Sequence, residues 1–219
     1  MWEAHSREAQ VKLYSFFRSS AAFRVRIALG LKGLPYETVP IHLTRGEHRA
    51  EAFRDVNPQR RVPALVLDDG TVLIQSLAIV EYLDEIHPQP PLLPADPVTR
   101  AKVRAVAGII GADIHPVNNS GVLKELRSRF KADEAQINAW IAHWILEGFA
   151  AVEALIEPGP FAFGSAPGVA DICIVPQVNN ARRFKVPLDD FPRIAAVDAA
   201  ARLLPAFATA FPEAQPDAE

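Results

Sequence analysis

The chain holds one cysteine, Cys173, inside the apolar run Ile172-Cys173-Ile174-Val175. No intrachain disulfide can form. The position predicts a buried, inert thiol, and a reducing, cytoplasmic setting fits it. No apolar stretch is long enough to cross a bilayer, so a membrane role is not expected. The first ten residues, Met1–Gln10, are mostly polar and lack the apolar run of a signal peptide; a loose extension is expected there. There is no P-loop, no Gly-x-Gly-x-x-Gly, no Gly-x-Ser-x-Gly elbow and no Cys/His metal spacing. The six histidines, at 5, 42, 48, 87, 115 and 143, are scattered, so no metal is assigned. Charge of one sign is also lacking. A net charge of −3 and a pI of about 6.1 set aside a broad nucleic-acid or membrane-binding surface.

What is present is 49% hydrophobic side chains over 219 residues, enough for one large domain or two small ones. The chain is organised around Arg18-Ser19-Ser20-Ala21-Ala22-Phe23-Arg24-Val25-Arg26-Ile27-Ala28-Leu29. A short alternating run, Val11-Lys12-Leu13-Tyr14, predicts a strand before it, and Val25, Ala28 and Leu29 lie at helical spacing within it. A strand that feeds a helix N-terminus through two hydroxyls makes a local anion site, which favours a thiolate, a carboxylate or a phosphate. On spacing alone the same serines serve as an ordinary N-cap.

Gly33-Leu34-Pro35 stops that helix, and Tyr36–Ile41 alternates as a second strand, parallel to the first across a right-handed crossover. Residues 42–61 carry Arg45, His48, Arg49, Arg54, Arg60 and Arg61 on an irregular helix and loop, either a solvated basic face or a holder for an acidic ligand. Two apolar runs then flank Asp68-Asp69-Gly70, a hairpin signal. Pro63 heads the first of these runs, at a position that cannot donate to a ladder and that can hold a cis bond. Gln75-Ser76 opens a helix to Ile86, a second N-terminus able to receive an anion. The order is β-α-β-α-β-β-α.

Five of the 19 prolines fall in residues 87–97, which predicts a stiff linker. Helices follow. Val103, Val106, Ala107, Ile110 and Ile114 share a face; Asp133 and Gln136 form a capping-box pair ahead of Ile137, Trp140, Ile141, Trp144, Ile145, Phe149 and Val152. Gly168-Val169-Ala170-Asp171 opens a buried helix through Val175 that Pro176 kinks or ends, and the proline-rich tail is expected at the surface. The boundaries expected are an α/β domain over residues 11–87 and an all-α domain over residues 97–211.

This layout, with Val62-Pro63 heading the third strand and Gln75-Ser76 before the third helix, resembles the glutathione transferases: a thioredoxin-like domain followed by a helical one. Phe17-Arg18-Ser19-Ser20, Asn57-Pro58, Gln75-Ser76-Leu77-Ala78-Ile79 and Val175-Pro176-Gln177-Val178 are similar to the signature of the zeta class, which contains maleylacetoacetate and maleylpyruvate isomerases. Asp113-Ile114-His115-Pro116 with Asn118-Asn119, and Ala181-Arg182-Arg183-Phe184, look closer to the maleylpyruvate enzymes. The resemblance implies a cytoplasmic homodimer with glutathione as cofactor and a small dicarboxylic cis-enone as substrate.

The resemblance also implies the site. Ser19 faces the sulfur, with Ser20 and Arg18 beside it as catalytic residues. Val62 pairs its backbone with the cysteinyl part of glutathione, Gln75 and Ser76 hold the γ-glutamyl carboxylate, and His48 lies near the glycyl end. His115, Asn118 and Asn119 are further contacts, from the helical half or a neighbouring subunit. Arg18, Arg182 and Arg183 are the substrate arginines. Two features depart from the pattern. Ala21 and Ala22 stand where the signature carries polar residues, and Ser120-Gly121 stand where a maleylpyruvate enzyme has two arginines. Rivals to the isomerase are a transferase acting on small halogenated acids and a non-catalytic interaction module of the same fold.

Overall fold

Alternation in Val11–Tyr14 and in Tyr36–Ile41 produces β1 (Lys12–Ser15) and β2 (Glu37–Pro40), which pair in parallel across α1 (Ser20–Lys32). The computed structural model describes residues 11–219, so the extension expected over residues 1–10 lies outside it. The basic segment forms a 3₁₀ turn at Glu47–Arg49 and α2 (Glu51–Val56). The hairpin is β3 (Ala64–Val66) and β4 (Val72–Ile74), closed by Gly70 at φ 85°. Then comes α3 (Ser76–Ile86). The sheet order is β2-β1-β3-β4, with β3 antiparallel to both neighbours. The described residues divide into two units, 11–83 with 209–219, and 84–208.

The first unit's core is Leu13, Val25, Ile27, Ala28, Leu29, Leu65, Ile79 and Val80, all fully buried. Every residue of α1 from Ala22 to Leu29 is buried, so the helix has no solvent face along that stretch, and Arg24 and Arg26 are enclosed with the rest. The tail beyond residue 211 is mostly exposed, as expected, and is fastened to this core by a few buried residues in and just before it. Phe211 packs edge-on against Phe23 with ring centroids 4.9 Å apart, and Gln215 is buried while donating to the carbonyls of Thr209 and Phe211.

The second unit is helical: α4 (Pro97–Gly108) running into a π-helical turn (Ile109–Ile114), α5 (Ser120–Arg129), α6 (Glu134–Leu155), α7 (Val169–Arg183), α8 (Pro192–Arg202) and α9 (Pro205–Ala208). The Asp133–Gln136 capping box is formed in both directions. Val103, Val106, Ala107, Ile110 and Ile114 are buried on one face, as are Ile137, Ile141, Ile145, Phe149 and Val152. Trp140 and Trp144 sit half-buried at the edge of that stripe, and Trp140 Nε1 donates to the Val117 carbonyl at 3.0 Å. Among the described residues no helix is long and apolar enough to cross a membrane.

The proline-rich segment, expected to be a stiff linker, is also pinned: the Asp84 carboxylate accepts from the N–H groups of Leu92 and Leu93 at 2.8 and 3.2 Å, Leu92 is buried, and its carbonyl accepts from Val169 N–H at 3.0 Å. Pro176, expected to kink or end α7, does not end it: the helix continues two turns to Arg183. Burial of every residue from Val169 to Val178 outweighs the roughly 3 kcal/mol that an interior proline costs. Gly168 is required at the helix entrance, because a Cβ there would stand 2.7 Å from the Leu92 carbonyl oxygen.

Asp171 secures that entrance. Its carboxylate is 2% exposed and accepts from Ala162 and Gly168 N–H, each at 2.8 Å. Burial nevertheless outweighs those bonds and pushes the carboxyl up to about 6. The unfolded chain loses this proton near the ordinary carboxylate value, at about 4. Between the two values the folded state holds more protons, so the group's contribution is largest below the lower value and is lost as pH rises through the upper one. Asp171→Asn does not titrate, and its amide N–H₂ faces a donor, so it melts lower throughout. The parent's advantage in melting temperature is expected to grow as pH falls from 6 to 4; a constant gap would contradict the assignment.

Candidate active site

Strand register brings three loops to one end of the sheet. Tyr14 pairs with Ala64, and Ala64 with Ile74. The next residues outward are therefore Phe16–Ser19 after β1, Val62-Pro63 before β3, and Gln75-Ser76 after β4. Phe16, Phe17 and Val62 pack together there with Phe53.

Ser19 sits at the N-cap of α1 with φ −70° and ψ 114°, and its Oγ accepts from Ala22 N–H at 3.2 Å. The Ser19 N–H closes a turn onto the Phe16 carbonyl at 2.9 Å. Ser20 is the first helical residue and is half-buried. Arg18 is exposed, its guanidinium 5.5 and 5.2 Å from the ring centroids of Phe16 and Phe17. Of the two departures from the signature, Ala22 is buried and Ala21 half-buried.

Val62 is buried, and the Val62–Pro63 peptide bond is cis. Val62 lies outside the first ladder pair of β3, so its backbone polar groups are placed beyond the sheet's own register. Gln75 holds φ 71°, a left-handed conformation that turns the chain sharply into α3. Its side chain donates to Gln59 Oε1 at 2.8 Å. Ser76 is buried, and its Oγ accepts from Arg24 Nη1 at 3.3 Å, which ties the start of α3 to the middle of α1. His48, in the 3₁₀ turn, is half-buried with a buried Nδ1; burial first, and the neighbouring Arg49 second, hold it below the ordinary histidine value. These residues all belong to the first unit.

The remaining candidates lie in the second unit. His115 follows the π-helical turn; Asn118 is buried; Asn119 caps α5 by accepting from Gly121 N–H at 2.9 Å. Arg182 and Arg183 occupy the last turn of α7 and differ sharply. Arg182 Nη1 lies 2.6 Å from the carboxylate of Asp198, which is 1% exposed and also accepts from Arg202 Nε at 2.8 Å. Arg183 donates to Asn180 Oδ1 at 2.9 Å and lies over the Phe184 ring at 4.6 Å.

Arg26 lies in the stretch that organises the chain but has no role assigned from sequence; a cation inside an apolar helix is the signal that points to it. Its guanidinium donates to the carbonyls of Phe17 and Ala210, each at 3.0 Å, to Ser15 Oγ at 3.0 Å, and to the Phe16 carbonyl at 3.5 Å. It is thus the floor of the Phe16–Ser19 turn. Burial pushes it down to about 10, which leaves it charged at neutral pH.

Comparison with known proteins adds to this geometry. Residues 13–91 match the family model described as glutathione S-transferase, N-terminal domain, and residues 134–203 that of the C-terminal domain. The chain is similar to a Pseudomonas aeruginosa protein named maleylacetoacetate isomerase, 52% identical over 94% of this chain and 98% of that one. It is also similar to a solved holo structure of maleylpyruvate isomerase, described as a bacterial zeta-class glutathione S-transferase: 53% identity, TM-score 0.92, 95% of this chain and 100% of that one. The maleylacetoacetate isomerase of Anaeromyxobacter dehalogenans, solved with glutathione in its active site, shares 41% identity and a TM-score of 0.87 over 96% of this chain and 99% of that one.

Proposed function

The chain belongs to the zeta class of the glutathione transferase family, and on that premise we propose that it is a glutathione-dependent cis–trans isomerase that converts maleylacetoacetate to fumarylacetoacetate in aromatic amino-acid catabolism. The observation that carries the reading is the Ser19 hydroxyl. Its oxygen already accepts from Ala22 N–H at the start of α1, so its own O–H is the group left to donate.

Bound glutathione supplies a thiol nucleophile that adds reversibly to the cis enone, permits rotation about what has become a single bond, and leaves again. The protein's task is to hold that thiol ionised and the substrate aligned. Free, such a thiol titrates at about 8.5. The Ser19 O–H and the N-terminal end of α1 both favour the thiolate. Ser20 shares that helix start. The Val62 backbone, lying beyond the ladder register, is placed to pair with the cysteinyl unit, and the start of α3 at Gln75 and Ser76 to receive the γ-glutamyl carboxylate. His48, held neutral, is assigned to the glycyl end, and His115, Asn118 and Asn119 to further contacts with the tripeptide. Arg18 and Arg183 are assigned to the substrate's carboxylates, for which a guanidinium is suited by its paired donors. Arg182 is assigned beside them; its Nη1 pairs with Asp198 at 2.6 Å, which anchors the guanidinium at the end of α7. The buried single cysteine supports a cytoplasmic setting, and family membership a homodimer.

Maleylpyruvate is the second reading, favoured by the close structural match to the maleylpyruvate enzyme. Ultraviolet absorbance of each cis substrate mixed with the purified protein, with and without glutathione, decides between them. Loss of the maleylacetoacetate signal only when glutathione is present is the expected result. Turnover of maleylpyruvate alone reassigns the substrate. No turnover of either, with glutathione still bound, withdraws the isomerase in favour of a transferase on small halogenated acids or a non-catalytic module.

A further inference from the structure

The last eleven residues return to the loop that presents Ser19. Ala210's carbonyl accepts from Arg26 Nε at 3.0 Å, and Phe211 packs on Phe23. Gln215 folds the segment onto itself by donating to the carbonyls of Thr209 and Phe211 at 2.8 and 2.9 Å. Asp217 Oδ2 then accepts from Phe17 N–H at 3.0 Å, across 200 positions of sequence. Glu219 beyond it pairs with Arg45 and lies 3.4 Å from His42 Nε2. The turn carrying Arg18 and Ser19 is therefore held on two sides. Arg26 binds the carbonyls of Phe16 and Phe17, and Asp217 binds the Phe17 N–H.

We infer that the C-terminal segment 209–219 is a positioning strap for the thiol-activating turn, and that Asp217 is its clip: by fixing Phe17 N–H, two residues before Ser19, it sets the direction of the Ser19 hydroxyl. The inference rests on the proposed role of Ser19. The reason for a clip is geometric. A hydroxyl lowers a thiol's pKa only while it points at the sulfur, and a charge-assisted hydrogen bond weakens steeply as its angle departs from linear. Arg26 fixes the carbonyl side of the turn and leaves its N–H side to be held from elsewhere. Asp217 does this from a segment that also provides a countercharge to the buried Arg26. Asp217 touches neither glutathione nor substrate in this assignment; it acts through Phe17.

The test is a pH titration of the thiolate absorbance of bound glutathione, on the full chain, in the parent, Asp217→Ala, Asp217→Asn and Ser19→Ala. In Asp217→Ala the bound thiol is expected to titrate about one pH unit higher, the equivalent of one weakened hydrogen bond to a charged group. The value of kcat should fall with it by up to about tenfold on the acid side of the titration and recover at high pH. The KM for glutathione should stay within about twofold, since the grip at Gln75 and Ser76 does not pass through the strap. Asp217→Asn keeps an oxygen acceptor and should recover the parent titration. If Asp217→Ala does not fold, Asp217→Glu keeps the charge but displaces the acceptor by a methylene, and the same upward shift is expected. A parent-like titration in whichever of these variants folds, alongside a shifted Ser19→Ala, overturns the strap. So does equal impairment in Asp217→Asn, which would make the residue a countercharge and nothing more. If Ser19→Ala itself titrates as the parent does, the Ser19 assignment fails and the strap falls with it, a result distinct from failure of the strap alone.

Discussion

Ser19→Ala is expected to lower kcat about 100-fold, the order found when a single preorganised donor to a developing or resident negative charge is removed. The affinity for glutathione should change by less than about twofold. The two effects separate because different parts of the sheet end are responsible for them. Binding is assigned to the Val62 backbone and to the start of α3, both of which are built without Ser19. Ionisation of the thiol is assigned to the Ser19 O–H and to the α1 terminus. Removing the hydroxyl also removes the N-cap bond to Ala22, at a cost of about 1 kcal/mol, so a small fall in melting temperature accompanies the loss of rate. Ser19→Thr restores both a cap and a donor and separates the two consequences. Parent-like turnover in Ser19→Ala would leave helix and backbone dipoles as the whole source of thiolate stabilisation and would end the role proposed for the side chain.

Arg26→Met is expected to be the most damaging single change to stability, a loss of about 3–5 kcal/mol in urea unfolding. Methionine matches the length of the stem and packs well, so the loss measures the guanidinium. That group is 1% exposed and serves Ser15 Oγ and the carbonyls of Phe17 and Ala210 at 3.0 Å. Each acceptor stranded in a dry interior costs about 1–3 kcal/mol. The desolvation that holds Arg26 down to about 10 is recovered on its removal, which is why the net loss is smaller than the sum over acceptors. A loss below about 1 kcal/mol would mean that water reaches all three acceptors. The substitution should also loosen the Phe16–Ser19 turn, so whatever activity survives is expected to show the same raised thiol titration as Asp217→Ala.

Legibility followed sequence distance. The Ser19 cap on Ala22, the Asp133–Gln136 capping box and the Asp69-Gly70 turn all join residues two or three apart. Such bonds depend on residue type and spacing, both of which a sequence displays. The apolar faces of α4 and α6 were legible for the same reason. At Pro176 the local rule alone left a kink or an end open, and burial along α7 decides against an end. The prolines at 87–97 speak for stiffness, while Asp84 and Val169, which hold the segment down, give no local sign. The assignments of individual residues to glutathione and substrate came from the family resemblance and not from spacing; what spacing offered was two helix starts suited to an anion.

The sequence alone determined the element order, the hairpin, both helix starts and a core rich enough for two units, because these follow from periodicity and from hydrogen bonds between near neighbours. Only the tertiary structure decided that Arg26 lies under the Phe16–Ser19 turn, that Arg182 pairs with Asp198, and that Asp217 reaches Phe17. Each of these pairs charged or polar groups that would be costly to bury alone. What makes them affordable is a partner brought in by the packing of other elements, and in a linear sequence a charged residue looks the same whether or not that partner will arrive.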